Sequence, residues 1–179
     1  MDSVHSSLID IRLRPATDAD RPFLKVVYAS TRAEELALTR WSAPEKESFI
    51  DMQFRAQDQH YRQHYAGTSF DLVLVGGTPA GRLYVARWSQ EIRIVDIALL
   101  PEYRNRGIGT ALLMELLDEG QCSARVVSIH VEIYNPAKRL YERLGFRHAK
   151  DVGVYQLMKW WPAPKAEQQE LASGVSSTC

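Results

Sequence analysis

Leu99–Leu113 reads LLPEYRNRGIGTALL, and the fold of the chain turns on this stretch. Upstream, IRIVDIALL is a strand-like run that ends at Pro101, and downstream apolar residues recur at helical spacing. The stretch is therefore a strand, a turn over Arg104–Gly109 and a helix from about Gly107 to Asp118, ended near Gly120. Glycine lets a backbone approach a ligand without a Cβ in the way, and the first N–H groups of a helix have no intrahelical partner. With Arg104 and Arg106 adding positive charge, such a turn suits a phosphate or pyrophosphate. The dinucleotide fingerprint would need three glycines after the first strand of a βαβ unit, and the P-loop lysine is missing. A tight turn into a helix accounts for the two glycines equally well.

Outward from there, the N-terminal side opens with a short strand, Ile11–Arg14. Thr17 and Asp20 have capping-box spacing, with Pro22 in the first turn, and predict a helix over about 18–30. Ser42 and Glu45 repeat the signature around Pro44 and predict a second helix over about 44–65, with Phe49, Ile50, Phe54, Tyr61 and Tyr65 facing inward. FDLVLV, GGTP and AGRLYVARW read as a hairpin, and IRIVDIALL as the third strand of one meander. Beyond the helix come the strand RVVSIHVEI, a helix over about 136–144 closed by Gly145, and two short strands around Phe146 and Val154–Trp160. Antiparallel pieces mixed with helical crossovers give an α/β fold.

Composition bounds the function. The 179 residues, 45% hydrophobic and 25% charged, suit one buried domain, expected over 11–161, between a flexible N-terminus (1–10) and a disordered tail (162–179). The 22 basic and 22 acidic residues cancel, which gives no global field for nucleic acid or an anionic membrane. No apolar run nears the roughly 20 residues that span a bilayer, and no signal peptide is legible, so the expected location is the cytoplasm. Cys122 and Cys179 show no metal-ligand spacing, and His60 and His64 lack the glutamate of a zinc-protease helix; no metal is expected.

The second segment that carries chemistry is HVEIYNPAKRLYERLGFR, His130–Arg147. Together with R-x-x-G-x-G at Arg104–Gly109, it resembles the GCN5-related N-acetyltransferase (GNAT) superfamily, in element order over about Leu13–Trp160. The resemblance implies a mixed, twisted seven-stranded sheet flanked by helices, splayed between its fourth and fifth strands to admit acetyl-CoA, the implied co-substrate. Carried over by residue, Arg104, Asn105, Arg106, Gly107, Ile108 and Gly109, with Thr110 behind them, would cradle the pyrophosphate. Leu99 would pair its backbone with the pantetheine arm, Asn135 would contact that arm, and Tyr141 would face the thioester sulfur. Asn135 stands one residue closer to Tyr141 than in many family members.

Acetyl transfer to an amine needs a neutral nucleophile, a polarised carbonyl and a protonated leaving sulfur. Tyr141 can donate to the sulfur, and the N–H of Leu99 can polarise the carbonyl. For the base, alternation puts Ser128, His130 and Glu132 on one face of the fifth strand. His130 matches the position at which members that acetylate protein N-termini carry a Glu or His base, while a hydrogen-bonded structural histidine is the plain alternative. Asp96 and Glu132 are the other candidates. The aromatic residues Trp41, Phe49, Phe54, Tyr61 and Tyr65 would either wall an acceptor pocket or pack the core. The expected activity is acetyl transfer to a primary amine in a ternary complex, the partners being acetyl-CoA and an amine, with no nucleic acid and no membrane. A homodimer is left open. The reading from another class is a non-catalytic acyl-CoA binding or sensing module, and a nucleotide-binding protein comes last.

Overall fold

The computed structural model describes residues 9–164; the expected flexible start and tail fall largely on residues 1–8 and 165–179, outside the described residues. Seven strands pair in the order β1-β2-β3-β4-β5-β7-β6, the mixed sheet implied by the resemblance. By its contacts the chain divides into two compact units. Among the described residues, one takes in 9–87 together with Ile94–Leu112, the other Trp88–Arg93 together with 113–164.

In the first unit, β1 (Ile11–Pro15) pairs antiparallel with β2 (Thr68–Val75), which pairs antiparallel with β3 (Thr78–Arg87). The β2–β3 turn places Gly76 at φ 57° and Gly77 at φ 82°, the double left-handed geometry of a two-residue hairpin. Val73 lies opposite Gly81 and Leu74 opposite Pro79, so Ala80 bulges from β3. The Ala80 carbonyl accepts the N–H of Leu100 at 2.9 Å, just past the end of β4 (Glu91–Leu99). Gly81 permits that approach, since a Cβ on it would lie 2.2 Å from the carbonyl oxygen of Ala98.

The expected helix over 18–30 is a 3-10 turn, Asp18–Asp20, followed by α1 (Arg21–Ala37). The Thr17/Asp20 box is made: the Asp20 carboxylate accepts from the N–H and hydroxyl of Thr17 at 2.8 and 2.9 Å. The helix outruns the expected end because Ser30 and Thr31 turn their hydroxyls back onto Val27 and Tyr28 carbonyls, at 2.7 Å each, and do not break it. Leu36 then extends the buried stripe of Leu24 and Tyr28. The second helix, α2 (Ala43–His64), starts on the Ser42/Glu45 box and buries Ile50 and Phe54 in the same cluster as Leu72 and Tyr84.

In the second unit, α3 (Ile108–Ser123, from Leu113 on) precedes β5 (Val126–Glu132), α4 (Lys138–Arg143), β6 (Arg147–Val152) and β7 (Tyr155–Trp160). The predicted stop near Gly120 is corrected, for α3 runs on to Ser123 and ends on Ala124 at φ 52°. Arg125 N–H to Gly120 O (2.9 Å) and Ala124 N–H to Gln121 O (3.4 Å) close a Schellman motif in which alanine takes the usual glycine place. Gly120 serves packing, because a Cβ there would meet Val127 Cγ2 at 2.7 Å. Gly145, at φ 93°, does end its helix as expected. β7 is paired antiparallel on both sides, with Ile129 of β5 opposite Met158 and β6 on the other edge. Gln121 holds the backbone of Ala163 through both amide atoms, at 3.1 and 2.8 Å.

Candidate active site

The first unit carries the turn that opens α3. A 3-10 turn, Pro101–Tyr103, follows β4, and the chain then bends through left-handed Asn105 (φ 57°) and Gly107 (φ 80°). The first intrahelical bond of α3 runs from Ala111 N–H to Gly107 O at 2.9 Å, so the N–H groups of Ile108, Gly109 and Thr110 precede the ladder. A Cβ placed on Gly107 meets nothing within 4 Å, which leaves that side of the turn open. Arg106 is exposed, its guanidinium 5.8 Å from the Tyr103 ring. Left-handed bends, a helix start and an exposed arginine together fit a diphosphate.

Two side chains expected at this cradle are committed elsewhere. Arg104 donates from Nε to Leu99 O at 2.8 Å and from Nη2 to Ser30 O and Oγ at 3.3 and 3.1 Å, so its charge ties the turn to β4 and α1. Ile108 is fully buried. Ile108 can offer a ligand only its backbone, whereas Arg104 is exposed and its bonds to Leu99 and Ser30 leave Nη1 out. Leu99 is half-buried; because Leu100 turns its N–H to β3, strand alternation turns the Leu99 N–H the other way.

Asp96, one of the three base candidates, is locked into a buried ion pair. Arg82, 2% exposed, donates Nη2 to Asp96 Oδ2 at 2.8 Å and Nε to Oδ1 at 3.3 Å, and the Tyr61 hydroxyl donates to the same carboxylate at 2.9 Å. Burial and the Asp96 charge push the Tyr61 phenol far above its usual range. Both carboxylate oxygens of Asp96 are thus engaged, Oδ1 by Arg82 and Oδ2 by Arg82 and Tyr61. Of the aromatic set, Phe54 is core and Tyr61 belongs to this network, whereas Trp41 and Phe49, 5.1 Å apart, line a shallow cavity of about 340 Å³ with Pro44, Glu45 and Ser48.

The second unit carries His130, Glu132, Asn135 and Tyr141. As alternation predicts, Val127, Ile129 and Val131 are buried on one face of β5; on the other, Ser128 is also fully buried, His130 and Glu132 half so. His130 Nδ1 lies 2.9 Å from Arg93 Nη1. Arg93 also donates Nε to Ser128 Oγ at 2.6 Å and to Glu91 at 3.0 Å, while the Ser128 hydroxyl donates to Glu91. Burial, Arg93 and Lys150 hold the His130 pKa below its ordinary value against the opposing pull of Glu91. Asn135 is exposed and its Oδ1 accepts the N–H of Ala137 at 2.9 Å, starting the turn into α4. Tyr141 is buried in α4, 5% exposed, its ring edge-on to Phe146 at 5.8 Å.

Arg82, Arg93 and Glu91 were not singled out from sequence, and Ser128 only as sharing a strand face with His130. The available signal was an arginine inside each of two apolar strands, since arginine is rarely buried unless paired. His60 and His64 are exposed and stacked at 4.3 Å, and among the described residues no group of three or more His, Cys, Asp or Glu could hold a metal. No helix among the described residues is long and apolar enough to cross a membrane.

The acetyltransferase (GNAT) family matches residues 31–146. An N-alpha-acetyltransferase of Sulfurisphaera tokodaii is 44% identical over 66 residues, 35% of this chain and 39% of that protein, so the match spans about two-fifths of the relative's length. The fold is similar to PaiA N-acetyltransferase from Thermoplasma acidophilum in complex with coenzyme A (TM-score 0.65, 19% identity, 85% of this chain and 99% of that one). It is also similar to an acetyltransferase from Thermus thermophilus (TM-score 0.62, 22% identity, 84% and 96%).

Proposed function

We propose, from the premise that this chain belongs to the GNAT family of acetyltransferases, that it moves an acetyl group from acetyl-CoA to a primary amine by direct transfer in a ternary complex. The observation that carries this reading is the turn into α3, where left-handed Asn105 and Gly107 precede the free N–H groups of a helix start beside exposed Arg106. Acetyl-CoA, when bound, supplies an activated thioester. The backbone from Arg104 to Thr110, with the Arg106 guanidinium, holds the pyrophosphate; Leu99 offers its N–H to the arm and the carbonyl; Asn135 offers its amide NH₂; Tyr141 gives a proton or hydrogen bond to the leaving sulfur.

The acceptor reading follows from how two of the three base candidates are paired. Asp96 is ion-paired with Arg82, and His130 has its Nδ1 against Arg93, so each is already held by an arginine. A lysine amine, pKa about 10.4, costs roughly 4 to 5 kcal/mol to deprotonate at pH 7, whereas an α-amine near 7.8 costs about 1. An α-amino group, or a small-molecule amine of similarly low pKa, asks least of such a site. The partial likeness to an N-alpha-acetyltransferase supports the same choice. The test is thiol release from acetyl-CoA with three acceptors: a peptide bearing only an α-amine, an N-terminally blocked lysine peptide, and a small primary amine. Transfer led by the α-amine is expected. Acetyl-CoA binding without transfer to any acceptor would leave a non-catalytic acyl-CoA module, and no binding would remove the reading altogether.

A further inference from the structure

His130 meets Arg93 nitrogen to nitrogen, at 2.9 Å. A guanidinium carries only N–H donors and stays protonated, so the imidazole nitrogen facing it must supply a lone pair. Nδ1 is therefore bare, and the single proton of the neutral ring sits on Nε2. Arg93 cannot turn away, for it is 8% exposed and gripped by fully buried Ser128 and by Glu91, which also lies 3.8 Å from Lys159 Nζ. The charges facing the ring are Arg93 and Glu91 from β4 and Lys150 from β6. With burial, the two cations oppose a second proton on the ring.

We propose that Arg93 is a positioning residue that locks His130 in its Nε2–H tautomer, so that this histidine serves acetyl transfer as a hydrogen-bond donor and not as the base. The outward nitrogen then has no lone pair to take a proton from an amine, and its N–H suits an oxygen of the acceptor. The donor role rests on the acetyltransferase reading above; the tautomer lock rests on the Arg93 contact alone.

The two are separated by experiment. Long-range ¹⁵N–¹H NMR of the full chain with labelled histidine, without ligand, reads which ring nitrogen is protonated, and His130→Gln assigns the signals. The expected spectrum shows bare Nδ1 and protonated Nε2; a proton on Nδ1, or an even mixture, overturns the lock. Arg93→Met removes the donors and should give mixed tautomers and a higher His130 pKa; an unmoved His130 spectrum overturns the proposal. If Arg93→Met does not fold, the wild-type spectrum still decides the tautomer. The donor role is read from kcat/KM against pH with one acceptor. His130→Ala, which removes the donor, should lower the rate, and His130→Gln, which keeps an N–H but cannot titrate, should recover part of it and preserve the ascending limb; loss of that limb in His130→Gln makes His130 the base. A locked tautomer in a chain that acetylates no amine counts against the acetyltransferase reading and leaves the lock standing.

Discussion

Gly81→Ala tests whether the end of β4 is held in place by the bulge on β3. The new Cβ would lie 2.2 Å from the Ala98 carbonyl oxygen and 2.8 Å from Leu99 Cδ2, where ordinary contact begins at 3.4 Å, so β4 must retreat by roughly 1.2 Å. The obstacle is backbone and cannot swing aside. Overpacking costs about 1 to 3 kcal/mol, and here the upper end applies. The same retreat stretches the Leu100–Ala80 hydrogen bond beyond its 2.9 Å and adds about 1 kcal/mol. A total of about 4 kcal/mol is a large share of the roughly 5 to 15 that holds a domain together. Urea unfolding followed by tryptophan fluorescence, extrapolated to water, measures it. In the fraction still folded at low temperature, kcat/KM should fall by about 10²-fold, because a displacement near 1 Å at Leu99 misaligns the groups it positions. A stability loss below about 1 kcal/mol with kcat/KM within threefold of wild type would refute the reasoning.

Tyr141→Phe removes one hydroxyl and keeps the ring, so kcat should fall by about 10²-fold while the calorimetric affinity for acetyl-CoA holds; a kcat within twofold makes Tyr141 a packing residue. Asp96→Asn leaves the buried Arg82 charge without its carboxylate and should cost about 3 to 5 kcal/mol in urea, a loss that a merely surface pair would not show. Because the folded His130 pKa lies below its unfolded value near 6.5, the unfolded state takes up this proton first as pH falls. That stabilisation is whole above about pH 6.5 and is lost as pH drops through the folded pKa. Urea midpoints between pH 7.5 and 5 should therefore fall more in wild type than in His130→Gln, and parallel curves would contradict the charge environment of the ring.

Much of the fold is local chemistry and was therefore legible. Both capping boxes, the Gly76–Gly77 hairpin and the Gly145 stop rest on residues within a few positions of one another. What escaped is set by distant neighbours. Gly120 looks like a stop in the chain, yet its requirement comes from Val127 across the helix–strand contact, while the true stop falls on Ala124, a residue with no left-handed preference to read. The end of α1 was misplaced because Ser30 and Thr31 satisfy their own hydroxyls within the helix. In the candidate site the turn into α3 was legible from its two glycines, but the partners of the titratable residues were not. Whether His130 and Asp96 hold usable lone pairs depends on Arg93, 37 residues away, and Arg82, 14 residues away. An arginine in a strand announces that it needs a partner without saying which.

The tie from Arg104 to Leu99 and Ser30 bears on how fast and with what entropy the turn can take a ligand. A loop tied to β4 and α1 by its own arginine leaves little chain for the proposed diphosphate to order. Association should run near the ordinary encounter rate, with little temperature dependence beyond solvent viscosity, and the penalty of immobilisation falls on the ligand alone. Cutting the tie with Arg104→Met would transfer part of that penalty to the protein. The dissociation constant would rise chiefly through slower productive capture, a kinetic signature that loss of a direct phosphate contact, which speeds release, does not share.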